Sequence, residues 1–241
     1  MKKSNLKAAA DFIAGIFFPQ SCIFCGKLIE ADEFVCDECR DSLPVIEGEI
    51  CPKCGQEKEN CECSKSSENF YDGIIAPLYF ENGVRSAIFR LKFGGEKSVA
   101  VPVADYMSDC CKQRYNEMHF DYVTYVPMDS KRQKNRGYNQ SRLLAEKISS
   151  SAGIPFADEM LLKICSTEIQ HDLHYIERSG NIFGAFDVND GFDVSGKTVL
   201  LIDDIKTTGN TLDECAKMLK LYGADKVFCL TAAVVKSKIN K

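Results

Sequence analysis

The chain has 241 residues, enough for one large domain or two smaller ones, and 45% of them are apolar, enough for a substantial core. Its formal charge of −5 excludes the overall basic signature of a protein that holds nucleic acid by charge across its whole surface. Thirteen cysteines are many, and eight of them crowd between Cys22 and Cys63, where C-x-x-C pairs in a reducing compartment point to metal rather than to disulfides.

The chain opens with Lys2-Lys3 and an apolar stretch over residues 8–18. Asp11 interrupts that stretch and no small-x-small cleavage site follows, so it does not read as a signal peptide. It is also too short to span a bilayer. Leu6, Ala10, Ile13 and Phe17 fall on one helical face. Residues 1–19 are therefore expected to form a helix docked on the protein's own body, with attachment to a membrane surface as the alternative. The chain is expected in the cytoplasm, or at the inner face of the membrane.

Residues 20–65 hold Cys22-x-x-Cys25, Cys36-x-x-Cys39, Cys51-x-x-Cys54 and Cys61-x-Cys63. A zinc ion takes four soft ligands in a tetrahedron, and a two-residue spacer lets one tight turn supply two thiolates. Gly26 and Gly55 directly follow the second cysteine of two pairs, where such a turn needs them. This head is poor in large apolar residues, so metal replaces the core it lacks. Two structural zinc ions are expected. Sequential pairing gives Cys22, Cys25, Cys36 and Cys39 for one, and Cys51, Cys54, Cys61 and Cys63 for the other; crossed pairing stays open. Eight thiolates around two Zn²⁺ add about four negative charges, which argues against a head that grips DNA by charge alone. The polar residues 64–69 read as a linker to a second unit at 70–241.

In that unit residues 73–80 read as a strand, Glu81-Asn82-Gly83 as a turn, and residues 84–93 as a helix with Val84, Ala87, Ile88 and Leu91 on one face. Residues 99–112 read as another helix and 121–128 as a buried strand. A basic loop follows over 129–142, with Lys131, Arg132, Lys134, Arg136 and Arg142 against Asp129 alone. It suits a dense polyanion. It also suits a single-stranded nucleic acid, with Tyr138 as a stacking ring, or a plain solvated turn. A helix then runs through Leu143, Leu144, Lys147 and Ile148. Residues 161–165 read as a short strand, 166–179 as a polar stretch with Gln170, His171, His174 and Arg178, and 181–188 as a helix end and strand. The two histidines read as a surface pair. Residues 227–235 read as a closing strand after Gly223 stops a helix. Strands alternating with helices predict an open parallel α/β sheet behind the cysteine head.

The most informative stretch is VLLIDDIKTTGNT, residues 199–211. Val199, Leu200, Leu201 and Ile202 read as a strand buried on both faces. Asp203 and Asp204 follow at its carboxyl end, where open α/β sheets bind ligands. Thr207, Thr208, Gly209, Asn210 and Thr211 then form a small loop that opens a helix carrying Leu212, Cys215, Ala216 and Leu219. Such a loop offers free backbone N–H groups and the positive end of a helix dipole, an anion site most often used for phosphate. No G-x-x-x-x-G-K-[ST] is present, so it is not a P-loop.

All thirteen positions resemble the phosphoribosyl pyrophosphate (PRPP) motif of the type I phosphoribosyltransferases. The resemblance implies that Asp203 and Asp204 hold the ribose hydroxyls and that Thr207 to Thr211 cradle the 5′-phosphate. It implies a pyrophosphate-binding role for the basic loop, through Lys131, Arg132 and Arg136, with Mg²⁺ bound alongside PRPP. It places a mobile catalytic loop at 166–179, with Arg178 as its contact to the site. More widely, the cysteine pairs, LKFGG at 91–95, Val126-Pro127, RGYNQS at 136–141, Gln170, Glu177-Arg178 and Asn181, followed by the PRPP motif, resemble in that order the ComF family, in particular its ComFC-like members. That resemblance implies a type I phosphoribosyltransferase-like fold with an N-terminal double zinc ribbon. It also implies a role in the uptake of single-stranded DNA during natural transformation, with a helicase or the translocation machinery as candidate partners. The alternative is an active phosphoribosyltransferase in nucleotide salvage with an unknown acceptor; nothing in the chain identifies an acceptor pocket.

Overall fold

Four consecutive apolar residues are stable in a strand only where both of its faces are covered. In the computed structural model of this protein, Val199 and Leu201 enter one core and Leu200 and Ile202 the other. The structure describes residues 20–30, 33–63, 68–164 and 185–236. The expected docking helix at 1–19 lies outside them, as do Gln170, His171, His174, Glu177, Arg178 and Asn181. No helix among the described residues is long and apolar enough to cross a membrane.

The head contributes one short helix, α1 (Asp37–Ser42). Strands β1 (Gly73–Ile75) and β2 (Leu78–Tyr79) follow, then helices α2 (Asn82–Phe93) and α3 (Ala100–Arg114). Next come β3 (Tyr122–Tyr125), α4 (Ser130–Arg136), α5 (Gln140–Ala152) and β4 (Leu161–Lys163). The described chain closes with β5 (Phe186–Val188), β6 (Thr198–Lys206), α6 (Asn210–Leu221) and β7 (Lys226–Val234). The main sheet has the order β1-β7-β6-β3, and every pairing in it is parallel. Helices α2, α3 and α5 cover one face; α6 and the small β4–β5 hairpin-like sheet cover the other.

Three expectations change in detail. The strand over 73–80 splits into β1 and β2, because Pro77 has no N–H to give the ladder. Both pieces keep one register against β7, Gly73 opposite Phe228 and Leu78 opposite Ala233. Strand β6 does not stop at Ile202 but runs through the acidic pair to Lys206. The basic loop is not a loop throughout. Asp129 caps its first turn by accepting from the N–H groups of Lys131 and Arg132, and Gly137, at φ +81°, ends the turn of helix that follows.

The head is docked by specific bonds. The Arg90 guanidinium, on α2, donates to the carbonyls of Cys22 and Ile23 at 3.2 and 3.1 Å and is held from behind by Glu96. Ile46 N–H donates to Pro77 O and Tyr79 N–H to Pro44 O, so the β1–β2 break is filled by backbone from the head. Gly55 packs on Val234 and Ile74, and Ile74 N–H donates to Pro52 O at 3.0 Å. Close approach matters most at Gly83, where a Cβ would stand 2.8 Å from the Phe24 Cβ.

Gly83→Ala sets two effects against each other. Alanine favours an exposed helix over glycine by about 1 kcal/mol, but here the new methyl collides with Phe24 and overpacking costs about 1–3 kcal/mol. The expected result is a lower thermal midpoint and faster proteolytic clipping of the head. A midpoint equal to or above the parent's would show that the head yields freely.

Candidate functional site

The acidic pair stands at the carboxyl end of β6, and two other elements reach in to hold it. The Lys92 ammonium, from the last turn of α2, lies 2.9 Å from Asp204 Oδ1, with Asp204 only 4% and Lys92 23% exposed in their side chains. The Ser141 hydroxyl, from the first turn of α5, donates to Asp203 Oδ1 at 2.8 Å, and the Asp204 N–H donates to the same oxygen at 2.9 Å. The Asp203 carboxyl is pushed up from its ordinary 3.8 to about 7. Loss of solvation is the largest cause and repulsion from Asp204 the next; the Ser141 bond, the Asp204 N–H and Lys92 oppose them. Asp204 Oδ2 is buried with no hydrogen-bond donor in the described structure. A buried acceptor left over in this way is the kind of group that a ligand hydroxyl satisfies.

The segment Arg136 to Ser141 shows how the scaffold is tied. Arg136 lies over the Phe93 ring, 5.1 Å from its centroid, and donates to Gln140 Oε1. The Tyr138 hydroxyl donates to Leu91 O, and the ring is buried. Asn139 caps α5 by accepting from Ser141 N–H, and its amide donates to Val126 O at 3.0 Å. Three residues of this motif, Arg136, Tyr138 and Ser141, therefore grip either the 91–95 segment or the acidic pair. Buried and bonded in this way, Tyr138 does not serve the single-strand reading of the basic loop as a stacking ring.

Beyond β6, Thr207 and Thr208 are exposed, and Gly209 takes φ +93° as the N-cap of α6. A Cβ at Gly209 would meet Lys206 Cε at 3.1 Å, so the buried Lys206 side chain lies against the loop. Gly209 has no side chain to cap α6; the Asn210 N–H leans on the Thr208 hydroxyl at 3.4 Å, and the N–H groups of Thr211 and Leu212 face the open end of the helix, where an anion binds. The loop is braced from the head. The Tyr71 hydroxyl, 3.5 Å from that same Cβ position, donates to Lys53 O at 2.6 Å, and Phe70 N–H donates to Asp213 Oδ1, in the first turn of α6, at 2.6 Å.

The cysteines settle into two groups of four, Cys22, Cys25, Cys36 and Cys39, and Cys51, Cys54, Cys61 and Cys63, with the sulfurs of each group within 4.8 Å of one another. The open choice between sequential and crossed pairing thus falls to the sequential one. Four thiolates converging on one point fit a closed tetrahedral zinc site, with no ligand position left for chemistry. The remaining described cysteines, Cys110, Cys111, Cys215 and Cys229, are buried, and burial pushes their thiols up.

Among the expected anion-binding residues, Thr207 to Thr211 cluster directly after the acidic pair on one loop and helix start. Lys131 and Arg132 are exposed on α4, and Arg136 is half-buried against Phe93. Arg142 turns away from them: it makes a bidentate pair with Asp158 at 2.9 and 2.6 Å. Arg178 lies outside the described residues. Sequence reasoning missed Lys92, Ser141 and Lys206. The signal for the first two was present, since both lie inside motifs that were noted; what the sequence lacked was the fold that brings them to Asp203 and Asp204.

A family model described as "Double zinc ribbon domain" matches residues 13–68, and one described as "Phosphoribosyl transferase domain" matches residues 140–240. "Competence protein ComFC" of Bacillus subtilis is 28% identical over 205 residues, covering 80% of this chain and 80% of that protein. "Competence protein F" of Haemophilus influenzae is 26% identical, covering 88% and 95%. "DNA utilization protein YhgH" of Salmonella typhimurium is 26% identical, covering 87% and 88%.

The two carboxylates should respond in opposite ways to substitution. Lys92→Met strands the buried Asp204 carboxylate and should cost on the order of 3 kcal/mol in urea unfolding. Asp203→Asn should stabilise. Asp203 binds its proton more tightly folded than unfolded, so its ionisation opposes folding increasingly as pH rises from about 4 to about 7, and by a constant amount above that. The gain in thermal midpoint should accordingly be a few degrees at pH 8 and smaller at pH 5.5. A gain independent of pH would assign it to something other than the charge.

Proposed function

We propose that this chain, which belongs to the ComF family of proteins with a double zinc ribbon and a phosphoribosyltransferase domain, binds PRPP at the end of β6 and acts in the handling of single-stranded DNA taken up by the cell. The observation that carries the sugar site is the Asp203–Asp204 pair held between Lys92 and Ser141, with a buried oxygen of Asp204 still without a donor, directly before a loop that opens a helix. The two vicinal hydroxyls of ribose are donors that match two adjacent carboxylates. The 5′-phosphate matches the N–H groups of Thr207 to Thr211 and the Gly209 turn.

In this reading Asp203 and Asp204 hold the ribose and offset positive charge that develops at C1 if the bond to pyrophosphate breaks, since glycosyl transfer passes through an oxocarbenium-like sugar. Lys131, Arg132 and Arg136 receive the pyrophosphate. Arg178 belongs to the segment expected to close over the site. Mg²⁺ bound with PRPP would neutralise part of the pyrophosphate charge through oxygen ligands and water. Ionised Asp203 is the better acceptor for a sugar hydroxyl, so a carboxyl that ionises near pH 7 ties sugar affinity to pH in the physiological range.

The part played in DNA handling is supported by the relatives, whose names are those of competence and DNA utilization proteins. A helicase or the translocation machinery at the inner face of the membrane is the partner this role calls for.

Calorimetric titration of PRPP with Mg²⁺ into the zinc-loaded chain tests the sugar site. Micromolar binding is expected, lost in Asp203→Asn/Asp204→Asn while the circular dichroism spectrum is unchanged, and weaker at pH 6 than at pH 8. A folded parent chain that binds no PRPP would overturn the proposal.

A further inference from the structure

Lys92 and Phe93 leave the last turn of α2 in opposite directions. Lys92 turns in to Asp204. Phe93 turns out and, at 66% exposed, is the most exposed large apolar side chain among the described residues. Phe89, one turn earlier on the same face, is 53% exposed, and the two ring centroids are 4.9 Å apart. The Arg136 guanidinium covers part of Phe93 at 5.1 Å. Arg136 ends α4, on which Lys131, Arg132 and Lys134 are all exposed. Two neighbouring phenyl rings in water mark a binding surface, because a chain that could bury them gains by doing so.

The chemistry around the rings selects the occupant. The chain as a whole is acidic, yet α4 sets four cations within two turns, the last of them over the Phe93 ring. Exposed aromatic faces, an arginine plane and a row of cations suit a ligand with flat faces on a polyanionic backbone. A duplex hides its base faces in its own stack; a single strand offers them. An acidic protein surface would use the cations but leave the rings with nothing flat to meet.

We propose that Phe89, Phe93 and Arg136 form a stacking platform for single-stranded nucleic acid, with Lys131, Arg132 and Lys134 meeting its phosphates. The inference rests on the strand-handling part of the reading above and not on an occupied sugar site. It also gives that reading a physical joint. The platform and the acidic pair share the last turn of α2 through Phe93 and Lys92, and share the α4–α5 connection through Arg136, Gln140 and Ser141.

The test is fluorescence anisotropy with a labelled poly-dT oligonucleotide and the full zinc-loaded chain, with inorganic polyphosphate as a base-free polyanion. Phe89→Ala/Phe93→Ala, both exposed and remote from the core, should weaken poly-dT binding about tenfold or more and leave polyphosphate displacement unchanged. Asp203→Asn/Asp204→Asn should keep poly-dT binding, so failure of the PRPP site and failure of the platform are told apart. The proposal is overturned if the parent chain does not bind poly-dT. It is overturned equally if the phenylalanine variant binds it as the parent does, or if polyphosphate and poly-dT lose affinity alike.

Discussion

Two carboxylates side by side at one strand end repel each other, and much of the body of this protein is arranged around that repulsion. Neutralising both would remove the acceptors on which the proposed sugar site rests; leaving both free would cost the fold too much. The structure does neither. Asp204 is paired with Lys92, while Asp203 takes its hydrogen bonds from neutral donors, Ser141 and the backbone, and burial with repulsion from Asp204 defers its ionisation to about pH 7. Helices α2 and α5 supply these partners, and each is fixed by a device of its own. Leu91 accepts from the Tyr138 hydroxyl at one side, and Asn139 caps α5 while donating to Val126 at the other. The pair is therefore held by the packing of three elements rather than by its own strand.

The same economy governs the segments RGYNQS at 136–141 and LKFGG at 91–95. RGYNQS is a joint before it is a ligand site: Arg136 covers Phe93, Tyr138 fastens α2, Asn139 starts α5 and Ser141 completes the acidic pair. LKFGG answers it residue for residue, with a carbonyl from Leu91, an ammonium from Lys92 and a ring from Phe93. Function and support are distributed through the same few side chains, so a change at one of them disturbs both.

Much of this was legible in the chain. The uninterrupted apolar run at 199–202 announced a strand covered on both faces, and the 84–91 stripe named the buried face of α2 residue by residue. Cysteine spacing announced two four-thiolate sites, though only the fold could decide which pairs share a site. What stayed hidden were effects that depend on distant partners. The basic stretch looked like a loop because its seven polar residues, four of them charged, carry no apolar stripe to mark a helix face; the Asp129 cap and Gly137 make it a helix. Tyr138 looked exposed because its neighbours are polar, but the carbonyl that buries it lies 47 positions earlier. Lys92 and Ser141 lie in recognisable motifs, but that both face the acidic pair is set by the fold and not by anything local to either residue.

One contact has a reach larger than its size. The Lys53 carbonyl, between two cysteines of the second thiolate cluster, accepts from Tyr71, whose hydroxyl lies beside the Gly209 turn; next to it, the Phe70 N–H ties the start of the second unit to the first turn of α6. The knuckle thus braces the Gly209 loop as well as folding on its own. A cell short of metal would lose more than a peripheral module. Demetallation would release the knuckle, and with it the support on which the loop rests, so under the proposed reading nutrient zinc status would enter the affinity for a sugar phosphate without any contact between the two ligands.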